Sequence, residues 1–189
     1  MGIIEAKKLT DEDLVFKIVQ SNDTHLFAVL YDRYAKVVYN RCYSFSKNKE
    51  EAQDLTHDVF VRLFVKLRTF KGKSKFSTWL YSFTYNFCVN YVQRNVEKKK
   101  EKVTVVTDNI KEKSPIDEID DATLLELKSD KLAKALEMID PQEKMILLMK
   151  YQDDMSIQEI QEVLGLGASA VKMRIKRAKE KVVKICQEM

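Results

Sequence analysis

The sequence predicts an all-α protein, with two small helical domains at 8–96 and 121–187 joined by a flexible linker at 97–120. Apolar residues recur at three- and four-residue intervals through most of the chain, the period of helices with one buried face. Four Gly and two Pro in 189 residues leave little material for the tight turns of a β-rich fold. Helix starts are also written locally: Asn48, Asp140 and Ser156 are each followed three residues later by Glu, the pattern of a capping box.

In chain order, Asp11-Glu-Asp opens a short helix to Gln20, with Leu14, Val15, Ile18 and Val19 turned inward. Asn22 or Asp23 caps a longer helix to about Phe45, whose period is carried by Leu26, Leu30, Tyr34, Val37, Val38 and Arg41. Asn48 restarts the helix after a polar break, and Ala52, Leu55, Val59, Leu63 and Leu67 form its stripe. Thr69-Phe-Lys-Gly-Lys-Ser74 has no apolar period and reads as a loop. A fourth helix covers roughly 76–100. At about 100° per residue, Phe76, Leu80, Phe83, Phe87 and Tyr91 form its core face, with Tyr81 and Tyr85 on the far side. The period weakens from Glu97 into a linker where Val103-Thr-Val-Val-Thr107 suits transient extended pairing.

The second domain opens with a helix over about Ala122 to Ile139. Asp140-Pro141-Gln-Glu143 starts the next, with Asp as cap, Pro at the first position and Glu closing the box. It runs to about Tyr151 and packs beneath the last two helices through Met145, Leu148 and Met149. Ser156 and Glu159 start the first of those two, a short helix on Ile157, Ile160 and Leu164, and Gly165 ends it. The second carries Val171, Ile175, Ala178, Val182 and Ile185 as one apolar stripe. Residues 168–187 carry seven Lys or Arg against one Glu. A capped helix, a sharp turn and a basic helix make a helix-turn-helix whose second helix enters a DNA major groove. A basic amphipathic helix can also lie on a membrane or serve as a peptide target, but those roles need no capped partner helix. Gly165-Leu-Gly167 lacks the preceding strand and third glycine of a nucleotide loop.

Charge is uneven although the net is only +4. Residues 1–95 hold 15 basic and 10 acidic groups, 96–130 hold 7 and 10, and 131–189 hold 11 and 9. Polyanion-binding surfaces are therefore local. Cys42, Cys88 and Cys186 are far apart, and only His25 and His57 could join them on a metal, so neither a disulfide framework, a metal site nor a cofactor is expected. No apolar leader and no run of about 18 apolar residues occurs, which points to a cytoplasmic protein without membrane insertion.

The fourth helix carries the second constellation. Trp79, Ser82, Asn86, Asn90 and Gln93 form a stripe beside the expected core face, near Lys71, Lys73, Lys75 and Arg94. Rings with amides and lysines suit unstacked bases, since rings offer platforms and lysines track phosphates. A core Trp among solvated amides is the plainer reading of the same residues.

Phe70-Lys-Gly-Lys-Ser-Lys-Phe-Ser-Thr-Trp-Leu-Tyr-Ser-Phe-Thr-Tyr-Asn86 resembles region 2 of bacterial sigma factors. Glu51-Ala-Gln-Asp-Leu-Thr-His-Asp-Val-Phe-Val-Arg-Leu-Phe64 is similar to that family's polymerase-binding helix, and the helix-turn-helix resembles region 4. No intervening region 3 is seen, as in the extracytoplasmic-function class. The chain departs from the pattern at His57, Asp58, Asn90, Gln161, Ala170 and Met173.

The resemblance implies a promoter-specificity subunit with core RNA polymerase, promoter DNA and an anti-sigma factor as partners. Asp54, Leu55, Asp58, Val59 and Phe60 would dock on the polymerase. Trp79 and Asn86 would hold separated bases of the minus-ten element, with Phe70, Lys71, Lys73 and Lys75 shaping a pocket and Arg94 adding charge. Ser169, Lys172, Met173, Lys176 and Arg177 would read the minus-thirty-five element, with phosphates on Arg174 and Lys179. One rival is a helix-turn-helix regulator with a helical sensing or dimerisation domain, which explains 140–187 but not the aromatic helix. An enzyme is the other, and no nucleophile–base pair, ligand cluster or phosphate loop supports it.

Overall fold

The computed structural model describes residues 3–46, 48–100 and 129–189, and every regular element among them is helical. The chain divides into two compact units, Met1–Tyr91 and Val92–Met189, with the division inside a long helix. That helix continues to Lys100, into the first residues assigned to the linker. The remainder of the linker, with Val103–Thr107, lies outside the described residues, as do residues 121–128.

The first unit contains α1 (Ile3–Ala6), α2 (Asp11–Ser21), α3 (Thr24–Phe45), α4 (Lys49–Lys66) and the start of α5 (Phe76–Lys100). The short α1 has no counterpart among the expected helices because distant groups complete it. Arg33 donates through Nη2 to the carbonyls of Ala6, Lys7 and Leu9 at 3.3, 3.1 and 2.9 Å. Asn22 ends α2 in the left-handed region, φ 53°, and Asp23 is the residue that caps α3, accepting the His25 N–H at 2.8 Å. Asn48 starts α4 by accepting the Glu51 N–H at 2.8 Å. Leu14, Val15, Leu30, Val38, Val59, Leu63 and Leu80 are all but inaccessible. Each such side chain stabilises the fold by about 1.5–3 kcal/mol relative to exposure.

The expected core face of α5 needs correction. Tyr85, placed on the far side by the helical wheel, is completely buried, while Phe83, Phe87 and Tyr91 are only half-buried. The helix is covered over a wide arc by neighbours on two sides. From α3, the Arg41 guanidinium lies 3.8 Å over the Tyr81 ring and 5.6 Å from that of Tyr85, which also meets Phe45 edge-on. From α4, Arg62 lies over Phe87 and Glu51 accepts the Tyr91 hydroxyl at 2.5 Å. A wheel with one buried side cannot represent such a helix.

The second unit contains α6 (Ser129–Met138), α7 (Pro141–Leu147), α8 (Ile157–Leu164) and α9 (Ala168–Glu188). Asp140 and Glu143 form the expected capping box at α7. Its last stretch, Leu148–Gln152, widens into a π-helical turn in which Asp153 N–H donates to the Leu148 carbonyl at 3.0 Å. Met145, Leu148 and Met149 are buried, and α7 packs on α9. The Lys181–Glu143 ion pair, 2.5 Å, joins the same two helices at the surface.

Candidate nucleic-acid interface

Three surfaces gather the residues singled out above. On α9, Val171, Ile175, Ala178 and Val182 are buried against the rest of the second unit, and Val183 and Cys186 are buried where the stripe expected Ile185, which is half-buried. The opposite face therefore points outward. Ser169, Lys172, Met173, Arg174 and Arg177 are exposed on it, and Lys176 and Lys179 are half-buried. At about 100° per residue, Arg174 and Lys179 flank the outward face on its two borders. The start of α8 and the turn before α9 are built as their sequence suggests. Ser156 accepts the Glu159 N–H at 3.2 Å, and Glu159 accepts the Ser156 N–H at 2.9 Å. Gly165 takes φ 65°, where a side chain would be strained. Met173 is half exposed, an apolar group at the centre of a basic face.

The second surface is the loop between the 3-10 turn Leu67–Thr69 and α5. Lys71, Lys73 and Lys75 are exposed, as are Asn86 and Arg94 further along. Trp79 is half-buried, with its ring stacked on Phe83 at 5.8 Å and 10° between planes. Asn86 lies two turns beyond Trp79, about 10 Å along the axis, and donates to Ser82 Oγ at 3.4 Å. Phe70, expected to help shape the pocket, is itself buried, with its ring 5.6 Å from Trp79 and packed between Phe16 and Phe76. An apolar ring with three aromatic neighbours is better kept dry than offered to solvent.

On α4 the structure separates the five residues of the expected docking face. Asp54 and Asp58 are exposed, whereas Leu55, Val59 and Phe60 are core residues, 3 %, 0 % and 3 % accessible. The Phe60 ring packs 4.5 Å from Tyr31 and 6.3 Å from Phe27, both on α3. The apolar groups that do reach the surface are Val61 and Val65, at 54 % and 69 % exposure. With Asp54 and Asp58 they follow spacings of four, three and four, one stripe opposite the core. Their signal was present in the sequence as two valines off the Ala52–Leu67 stripe. An open cavity of about 560 Å³ adjoins this face, lined by Glu50, Glu51, Asp54, Asp58 and Tyr91 among others.

Groups with shifted acidity lie within the first unit. Burial, with the Asp11 carboxylate that accepts its proton, raises the Tyr34 hydroxyl far above its ordinary value. The buried Cys88 thiol donates to Cys42 Sγ at 3.9 Å. That bond lowers Cys42, while the same bond and burial raise Cys88. Cys42, Cys88 and Cys186 are all buried free thiols.

Comparison with known proteins gives these surfaces a context. The Sigma-70 region 2 family model matches residues 30–97, and the Sigma-70, region 4 model matches residues 129–182. The ECF RNA polymerase sigma factor SigW of Bacillus subtilis (strain 168) is 30 % identical over 179 residues, covering 92 % of this chain and 95 % of its own. The ECF RNA polymerase sigma-E factor of Escherichia coli (strain K12) is 25 % identical over 182 residues, 94 % of each chain. Among solved structures, the sigma factor RpoE, co-crystallised with the anti-sigma factor NepR from Bartonella quintana, has a similar fold. Its TM-score is 0.61 at 16 % identity, over 85 % of this chain and 96 % of that one.

A region 2 followed by a region 4 defines a promoter-specificity factor of the sigma-70 type. The chain belongs to the extracytoplasmic-function (ECF) sigma factors of RNA polymerase. As an alternative sigma factor it directs RNA polymerase to promoters. The rival helix-turn-helix regulator, which accounted for 140–187 alone, is set aside by the region 2 match. No helix among the described residues is long and apolar enough to cross a membrane.

Proposed function

We propose that the three surfaces divide the work of initiation. The outward stripe of α4, Asp54, Asp58, Val61 and Val65, docks on core polymerase, combining charge with apolar groups as interfaces do. The outward face of α9 reads the minus-thirty-five duplex. Ser169, Lys172, Met173, Lys176 and Arg177 meet base edges, and Arg174 and Lys179 meet phosphates. The 70–75 loop and the Trp79–Asn86 face of α5 receive the minus-ten element once its strands part, with Arg94 adding positive charge farther along. The chain performs no bond chemistry of its own and acts in the cytoplasm, where the polymerase is.

Regulation fits the same surfaces. The RpoE neighbour was solved with its anti-sigma factor NepR, and CnrH, another neighbour at TM-score 0.63 and 20 % identity, with the cytosolic domain of CnrY. An anti-sigma factor acting on this chain would cover the α4 stripe or α9 face and so block polymerase or DNA.

The observation that carries the opening role is the pair of half-buried rings Trp79 and Phe83, backed by the buried Phe70, with three exposed lysines in the loop that leads into the same helix and Asn86 one turn beyond Phe83. Only unpaired bases can use such a platform. Trp79→Ala with Asn86→Ala is expected to leave closed-complex binding intact and slow promoter opening about tenfold, since a lost stacking platform costs about 1–3 kcal/mol per base. Permanganate footprinting on duplex promoter, beside transcription from a pre-melted bubble, reads this directly. A folded double variant that opens duplex at the parental rate, or fails equally on both templates, removes the opening role.

A further inference from the structure

The region 2 match begins at residue 30, so α2 lies ahead of it. Yet α2 meets the 70–75 loop and the start of α5 at successive points. Glu12 Oε1 accepts the Phe76 N–H at 2.8 Å. The Phe16 ring lies 6.1 Å from that of Phe70. It also closes the space beside Gly72, where an added Cβ would come within 3.3 Å of the ring's Cζ. One residue before Glu12, Asp11 accepts the Tyr34 hydroxyl at 2.5 Å, and the Tyr34 ring meets Phe76 edge-on at 5.6 Å.

These contacts supply what α5 lacks locally. Phe76 is its first residue, and the N–H groups of a first turn have no acceptor within the helix. Lys75, the preceding residue, carries only donors on its side chain and cannot cap. The cap therefore comes from across the fold, as a carboxylate that also suits the positive end of the helix dipole. Phe16 acts at the middle of the loop as Glu12 acts at its end. Gly72 stands at φ +65° with the ring against it, so the turn is shaped by glycine's freedom and by the surface it rests on. Phe16 remains 44 % exposed because it covers a loop and does not enter the core.

We propose that Glu12 and Phe16 are positioning residues for promoter opening: they seat the 70–75 loop and the first turn of α5 so that Lys71, Lys73 and Trp79 meet a separated strand already in place. The proposal rests on the reading of the loop and α5 as the opening surface. Its physical basis is preorganisation, because a loop ordered in advance does not have to lose its freedom at the moment the strand arrives. The effect therefore falls on opening and spares polymerase docking, which uses the far side of α4.

The test uses the full chain with core polymerase. Glu12→Ala, Glu12→Gln, Phe16→Ala and the marker variant Trp79→Ala are compared for opening of duplex promoter, followed by a fluorescent base analogue in the minus-ten element. Transcription from a pre-melted bubble and thermal melting accompany each. Glu12→Ala is expected to slow duplex opening about fivefold, the factor corresponding to loss of an ordinary helix cap. Glu12→Gln, whose amide oxygen still accepts the Phe76 N–H, recovers most of the rate, and Phe16→Ala is slowed like Glu12→Ala. Bubble transcription stays within about twofold of the parent, the scatter of a surface substitution. Parental opening by Glu12→Ala and Phe16→Ala beside a slow Trp79→Ala overturns the proposal and leaves the opening surface standing. Parental opening by Trp79→Ala removes that surface and the proposal with it. Equal losses on duplex and bubble make α2 a stabilising element only, which also overturns it. If the alanine variants do not fold, Phe16→Leu, which keeps the cover but not the ring, is read on the same ratio. A reduced ratio is expected, and a parental one overturns the proposal.

Discussion

The cap and turn of the helix-turn-helix, from Ser156 to Gly165, are held by groups a few residues apart, whereas the loop and helix at 70–95 depend on residues as many as 64 positions away. In the second unit, Ser156 and Glu159 cap each other, Gly165 turns the chain, and a regular stripe decides which face of α9 is left exposed. In the first unit, Glu12 caps α5, Phe16 supports the loop, and Arg41 and Arg62 lie over the Tyr81 and Phe87 rings of the helix. A surface built locally keeps its shape wherever the motif is placed. One built from distant parts can be adjusted by residues that never touch the ligand.

The contrast can be broken at several points, and the largest effect is expected inside the first unit. Phe60→Ala is predicted to lower its stability by about 3–5 kcal/mol through lost packing and a cavity. Val65→Asp, on the outward stripe of the same helix, is predicted to stay within about 0.5 kcal/mol yet lose association with core polymerase. Urea unfolding and pull-down of core enzyme read the two. If Val65→Asp captures polymerase undiminished, the outward stripe is not the docking face.

The α9 face gives the next effect. Lys172→Ala and Lys176→Ala are each expected to weaken minus-thirty-five binding by about 1–3 kcal/mol with relaxed selectivity at one position if they contact bases. Uniform weakening across sequences with a shallower salt dependence would instead make them phosphate contacts. Binding titrations over a range of salt distinguish the two, and parental affinity in both variants would show the face to be misplaced. Smallest is Ser156→Ala, predicted to cost about 1 kcal/mol and, as a local cap, to do so in the second unit alone. Amide exchange protection resolves this residue by residue. Loss of protection in α5 would contradict the local character assigned to the turn.

The helix starts at Asn48, Asp140 and Ser156 were legible in the sequence because a cap and its partner amide are separated by two or three residues. So were the α9 stripe and its basic outer face, since period and charge belong to a single helix. The two-domain all-helical class follows from the same local signals, and the family resemblance was carried by runs of contiguous residues. What only the tertiary structure decided were choices between faces. Leu55 and Val59, which the sequence placed both on the apolar stripe and on the docking face, went to the core with Phe60, and Val61 and Val65 to the surface, because α3 lies against one side of α4. Tyr85 was buried because Arg41 and Phe45 arrive from α3, and Phe70 was buried because Phe16 and Trp79 pack against it. A helical period states that a buried side exists. Which residues occupy it, when apolar groups lie all around, depends on how many neighbours pack and from where.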